Sequence, residues 1–155
     1  MKKVLGLLLV LSLVFTMCAF TASAENDLKI GVILVGDDTE GYTLAHMEGI
    51  KAAAAKLGIA DDQISWKYKV PEDSSCYEAA MDLYGQGCNL IISNSYGHQD
   101  FMAQAAEELE DATFVAVTGD FAAVSGIPNL KNAFTSVYES RYVSGVVAGL
   151  KLKEL

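Results

Sequence analysis

Three short segments hold the polar groups that could do chemistry. They are Gly36-Asp37-Asp38-Thr39-Glu40-Gly41-Tyr42-Thr43, Asn94-Ser95-Tyr96-Gly97-His98 and Thr118-Gly119-Asp120. Together they carry hydroxyls, amides, carboxylates and two tyrosines, and no lysine or arginine. A phosphate ligand would be poorly served there. A neutral hydroxylated or heteroaromatic ligand would be well served, because tyrosine rings can stack on it and the polar groups can direct its edges. The candidate ligand contacts are Asp38, Thr39, Tyr42, Thr43, Asn94, Ser95, Tyr96, Gly97, Thr118, Gly119 and Asp120.

Enzyme motifs do not emerge. Gly31 and Gly36 bracket four residues, but no Gly-Lys-Ser/Thr follows, so this is no P-loop. No Gly-x-Gly-x-x-Gly follows the first apolar run, which argues against a dinucleotide site. His46 and His98 stand near helix starts, where each could cap or bond a ligand; a structural role is preferred for both. Asp37-Asp38 could be a calcium or acid–base pair, and a solvated acidic loop is preferred. No catalytic residue, metal-ligand set or cofactor is therefore assigned.

The elements that must position these segments follow from hydrophobic patterning. Leu28 to Val35 is almost continuously apolar, as a strand buried on both faces should be. Thr43 to Leu57 reads as a helix with Leu44, Met47, Ile50, Ala54 and Leu57 inward, Thr43 as its cap and Gly58 as its stop. Ile64 to Val70 alternates and ends at Pro71, which marks a strand nearer a sheet edge. Ser75-Cys76-Tyr77-Glu78 has the form of a capping box opening a helix to about Gln86. Leu90 to Ser93 is a short strand, His98 to Leu109 a helix, Thr113 to Val117 a strand and Asn129 to Phe134 a weaker strand. Tyr138 to Lys153 closes as a helix with Val143, Val146, Val147 and Leu150 inward. Gly145 and Gly149 on it suit close packing against the sheet better than membrane dimerisation. Strict alternation of strand and helix specifies an α/β, Rossmann-like open parallel sheet with helices on both faces and the first strand near its centre. In such a sheet ligands bind at the C-terminal strand ends, where the three polar segments fall.

The first residues read differently. Lys2 and Lys3 precede an apolar run from Val4 to Phe15, too short to span a bilayer, and Ala22-Ser23-Ala24 then offers a cleavage site. Residues 1–24 are expected to be a secretory signal peptide and residues 25–155 the mature domain, starting at Glu25. A buried first helix is the disfavoured alternative. Lipidation at Cys18 is a second one, less favoured because Met17 sits where a small residue is usual. The chain has 11 basic and 20 acidic residues, net −9. Losing Lys2 and Lys3 leaves 9 against 20, or −11. That balance argues against nucleic acid or an anionic membrane surface as partner. Cys76 and Cys88 flank a helix whose length keeps them too far apart for a bridge, so both are expected free and buried. The final Lys151-Leu152-Lys153-Glu154-Leu155 continues a helical pattern without a cap, and a truncated chain is the working expectation.

Four motifs then carry a resemblance. Gly41-Tyr42-Thr43-Leu44-Ala45-His46-Met47-Glu48-Gly49 resembles the first-helix motif of the basic membrane protein (BMP) family of ABC-transporter substrate-binding proteins, whose purine-binding branch has Asp-x-Gly-Trp-Thr-x-Ala-His-x-x-Gly. Ser95-Tyr96-Gly97-His98 is similar to its Ser-Phe-Gly loop. Phe114-Val115-Ala116-Val117-Thr118-Gly119 is similar to its fourth strand and Thr-Gly turn. Tyr138 to Gly149 resembles its Tyr-Glu-x-Arg-Tyr-x-x-Gly-x-x-Ala-Gly helix.

The resemblance implies a type I periplasmic-binding-protein fold, of which this chain would supply the N-terminal lobe only. It implies an exported, monomeric binding protein, not an enzyme, that passes a purine base, nucleoside or similar ligand to an ABC permease. The protein would work outside the cytoplasmic membrane, in extracellular or periplasmic space, free or attached to that membrane's outer face. Tyr42 would stack on the base, Ser95, Tyr96 and Gly97 would line the pocket, and Thr118 and Gly119 would form its floor. Thr39 stands where the motif has Asp, so a base-edge acceptor is lost or moved to Asp38. Tyr42 in place of Trp keeps stacking and changes the polar edge. Two rival readings remain: a sensory ligand-binding protein, and a secreted α/β enzyme, which lacks an identifiable nucleophile or acid–base pair.

Overall fold

A computed structural model describes residues 28–154. The expected signal peptide, Cys18 and the Glu25 start lie outside the described residues. Five parallel strands form one sheet in the order β2-β1-β3-β4-β5. The strands are β1 (Ile30–Ile33), β2 (Ile64–Lys67), β3 (Leu90–Ser93), β4 (Thr113–Val117) and β5 (Leu130–Ala133). The helices are α1 (Gly41–Leu57), α2 (Ser74–Gly85), α3 (Gln99–Glu108), α4 (Ala122–Ser125) and α5 (Val137–Leu152). The fold is α/β and Rossmann-like. β1 is interior and buried along its whole length, and alternating β2 is an edge, as their patterns predict.

β1 shows why both faces must be apolar. Ile30, Val32 and Leu34 meet Met47 and Ala54 of α1 and Ile64 of β2. Ile33 joins the larger core, in which Leu83 of α2, Met102 of α3 and Phe114 of β4 are wholly buried. Gly31 faces α2 so closely that an added Cβ would sit 3.0 Å from the Leu83 side chain. A side chain at 31 would force Leu83 to give way by a few tenths of an ångström.

Several boundaries differ from expectation. α1 starts at Gly41, and its cap is Glu40 rather than Thr43. The Glu40 carboxylate reaches back over Gly36 to accept the amides of Thr43 at 2.7 Å and Tyr42 at 3.2 Å. Thr43 is therefore inside the helix and fully buried. The inward stripe runs Thr43, Met47, Ile50, Ala54, one strict helical face; Leu44 and Leu57 fall on its flank and are exposed. At α2 the cap is Asp73, which accepts the Ser75 amide at 2.9 Å, so the helix starts before the expected Ser75–Glu78 box. β2 ends at Lys67; Lys69 adopts a left-handed φ of +54°, while its amide and that of Val70 still donate to the Gly36 and Leu34 carbonyls just beyond β1. The short α4 has no expected counterpart.

α5 departs most. None of its residues is buried, and Val143, Val146, Val147 and Leu150 are 44–61% exposed. A Cβ at Gly145 or Gly149 would meet nothing within 4 Å, so these glycines do not pack on the sheet. The period of the stripe was amphipathic, but no described element lies opposite it. No helix among the described residues is long and apolar enough to cross a membrane.

Cys76 and Cys88 are free and buried. Burial, with Asp73 nearby, pushes the Cys76 thiol up to about 12, and burial raises Cys88 as well. A thiolate is the reactive form. A water-soluble thiol reagent at neutral pH should leave both cysteines unlabelled in the folded protein and label both in denaturant, as read by peptide mass spectrometry. Rapid labelling of folded Cys76 would contradict this packing.

Candidate functional site

The parallel register puts the ends of β1, β3 and β4 side by side, and the three polar segments meet there. Asn94 joins the first two. Its side-chain oxygen accepts the Val35 amide at 2.9 Å, and its side-chain nitrogen lies 3.5 Å from the Thr43 hydroxyl. The Tyr42 hydroxyl donates to the Asn94 carbonyl. The Thr118 side chain also lies near the Tyr42 phenol, so this one residue approaches all three segments. Partial burial, with the charges of Glu40 and Glu72, raises the Tyr42 phenol above its usual value, and it remains a neutral donor. Its ring packs at 60° against His46 with centroids 4.5 Å apart, yet is 44% exposed. Tyr96 is also open, at 56%.

The other candidates divide. Ser95 is nearly buried and its hydroxyl donates to Glu72. The Gly97 amide donates to the same Glu72 oxygen at 3.1 Å. A Cβ at Gly97 would lie 2.6–2.8 Å from Glu72, so only glycine lets that carboxylate lie against the loop. Thr118 has a left-handed φ of +67°, uncommon for a β-branched residue. Gly119 is buried beneath it and Asp120 is exposed. Asp38 and Thr39 stand apart. Asp38 lines an open cleft of about 410 Å³ with Asp37, Tyr68 and Lys69 on the β2 side. Thr39 donates its amide (3.0 Å) and its hydroxyl to Asp37. Among the described residues, no hydrogen bond links Asp38 or Thr39 to the segments after β3 and β4. A second cleft, about 490 Å³, is lined by Glu107, Glu110 and Ser125–Asn129 at the opposite end of the sheet, away from this chemistry.

Sequence order hid four residues that build the site. Lys69, arriving from the end of β2, pairs with Asp37 and brings a cation into a segment that has none of its own. Glu72 holds the Ser95–Gly97 loop. Gln99 and Asn132 hold the turn after β4. Pro71 and the Gly97 and Gly119 positions were the only sequence signals near them. His98 is structural: it is fully buried, with Nε2 3.1 Å from the Val70 carbonyl, and burial lowers its pKa. Burial lowers His46 too. Among the described residues no group of three or more His, Cys, Asp or Glu could hold a metal ion.

The family of ABC transporter substrate-binding proteins described as PnrA-like, Bmp, matches residues 28–155. This chain belongs to the Bmp family. The family consists of substrate-binding proteins rather than enzymes. The fold is similar to that of a solved ABC transporter system solute-binding protein from Conexibacter woesei DSM 14684, with a TM-score of 0.58 and 17% identity over 69% of this chain. The chain spans 35% of that protein's length. No curated protein matches the chain.

The Asp37–Lys69 pair gives a pH test. Hydrogen bonds from Lys69 and then Thr39 lower the Asp37 carboxyl from 3.8 to about 2. A depressed carboxyl favours the folded state above 3.8, and that contribution is lost as pH falls through about 2. NMR titration of the Asp37 carboxyl should find its midpoint near 2 in the wild type. In Lys69→Ala the midpoint should rise towards 3.8 but stop short, since Thr39 still donates. An unshifted midpoint in the variant would remove Lys69 from the loop.

Proposed function

We propose that this Bmp-family chain is the first lobe of an exported solute-binding protein that captures a purine base, nucleoside or similar neutral heteroaromatic ligand for an ABC permease. The observation that carries the reading is Tyr42. Its hydroxyl is tied down by the Asn94 carbonyl while its ring stays open at the strand ends, where ligands bind in open α/β sheets. A ring held by its hydroxyl loses little further entropy when a flat ligand stacks on it. Ser95, Tyr96, Gly97, Thr118, Gly119 and Asp120 surround that position in the proposal, with Thr43 and Asn94 supporting it from below. Asp38 and Thr39 would act only at the rim. Lys69 does not make this a phosphate site, because its charge is engaged by Asp37.

The protein would act as a monomer outside the cytoplasmic membrane, after removal of residues 1–24. A second lobe would close over the ligand. Support for it comes from uncovered α5 and from the 35% coverage of the C. woesei protein.

Stacking of an aromatic side chain on a base contributes roughly 1–3 kcal/mol where it has been measured. Tyr42→Ala in the full-length protein should therefore weaken nucleoside binding about 5- to 150-fold. Calorimetry with adenine, adenosine, guanosine and inosine measures it, and an unchanged Kd would move the stacking role to Tyr96.

The lobe alone should bind weakly. Small-molecule sites bury roughly 70–90% of their ligand. Losing half of those contacts would take a micromolar site, about −8 kcal/mol, to millimolar or worse. Titrating residues 25–155 beside a chain extended through its downstream reading frame tests this. Micromolar binding by the short chain would show that one lobe, or a pair of them, suffices.

A further inference from the structure

The turn after β4 is an unusual piece of backbone. Thr118 sits at φ +67°, and the next residue, Gly119, is buried. Nothing in the segment's own sequence explains why it holds this shape. The explanation comes from two side chains on other elements. Gln99, the first residue of α3, is 7% exposed, and its Oε1 accepts the amides of both Asp120 (3.0 Å) and Phe121 (3.1 Å). Asn132, on β5, donates from Nδ2 to the Ala116 carbonyl at 2.9 Å and accepts the Ala122 amide on Oδ1 at 2.6 Å. The two amides flank Gly119 in the space a side chain would take: an added Cβ would lie 2.8 Å from Gln99 Oε1 and closer still to Asn132 Nδ2.

We propose that Gln99 and Asn132 form an amide clamp that positions the Thr118–Asp120 turn for ligand binding. This rests on the reading above that the turn lines the ligand site. The clamp works by accounting for backbone donors. Three consecutive amides, at 120, 121 and 122, leave the strand with no ladder partner, and the two side-chain oxygens take all three. Neither clamp residue belongs to the three polar segments, so each acts through the turn. Asn132 also ties the turn to β5, the edge strand from which the chain leaves for α5.

The chemistry predicts an asymmetric response to substitution at 99. Only an acceptor is required there. Gln99→Glu keeps an oxygen at the same reach, and its charge is met by two amide donors. Gln99→Met keeps length and volume and removes the acceptor. In the full-length protein, Gln99→Met should speed hydrogen exchange of the Asp120 and Phe121 amides. It should also weaken nucleoside binding by about tenfold or more, each decade being roughly 1.4 kcal/mol. Gln99→Glu should stay close to wild type in both. Gly119→Ala, which drives a methyl into the clamp, should weaken binding as Gln99→Met does.

Calorimetry with adenosine, guanosine and inosine, and amide exchange followed by NMR, read the two effects separately. Wild-type exchange and affinity in Gln99→Met would overturn the clamp. So would a fall in Gln99→Glu equal to that in Gln99→Met, since packing rather than the acceptor would then be at work. Faster exchange with unchanged affinity would leave a structural bond and overturn the positioning role. A wild-type protein that binds none of the nucleosides would overturn the ligand reading, and the positioning role with it; amide exchange would still report the clamp independently.

Discussion

Asn94 has a side chain with two polar ends and a backbone with two more, and it is 1% exposed. Burial at that level demands partners for all of them. Its amide goes to the Ile33 carbonyl at 3.1 Å, its carbonyl to Tyr42, its side-chain oxygen to Val35 and its side-chain nitrogen towards Thr43. Asn94, the first residue past β3, therefore cannot move without β1 and the first turn of α1. This constraint explains the order of the site. It fixes where α1 begins relative to the sheet, turns Thr43 inward and sets the Tyr42 ring at the strand ends. Glu40 completes the arrangement from the other side by capping α1, and Gly36 leaves room for its carboxylate.

The acids around this junction are arranged as acceptors. Asp37 takes Lys69 and Thr39, Glu40 takes two helix amides, and Glu72 takes Ser95 and Gly97. Each of these bonds favours the ionised form, and the three carboxyls are all shifted downward. Through these bonds the acids hold the loops and the start of α1 in place.

The sequence made the sheet legible because burial on both faces leaves a run such as Ile30 to Leu34 no polar position. β4 appeared with its observed ends, Thr113 and Val117. Caps were less legible. Glu40 and Thr43, or Asp73 and Ser75, are near neighbours that can all cap, and only the angle at which the chain enters the helix chooses between them. Of the site, the three segments were visible because each follows a strand directly. Glu72, Gln99, Lys69 and Asn132 were not. Each is an ordinary polar residue in its own neighbourhood and gains its role only when the sheet brings its element beside another. The glycines were the indirect signal: Gly97 and Gly119 mark the places where a foreign side chain comes in.

α5 shows the reverse failure, a pattern that was read correctly and still misled. Val143, Val146, Val147 and Leu150 fall at helical spacing, and the helix forms. Spacing says that such a face needs a partner; it does not say which. A helix of 16 residues is marginal in water without one. The sheet has a matching gap. On the α1 side, Leu90 and Ile92 of β3 and Val115 and Val117 of β4 are only half-buried. α1 packs over β1 and β2 and leaves these positions partly open. The connection from β5 to α5 is only three residues, Phe134 to Ser136, and α5 does not turn back to cover them. Two apolar surfaces are therefore unpaired, and they are not paired with each other.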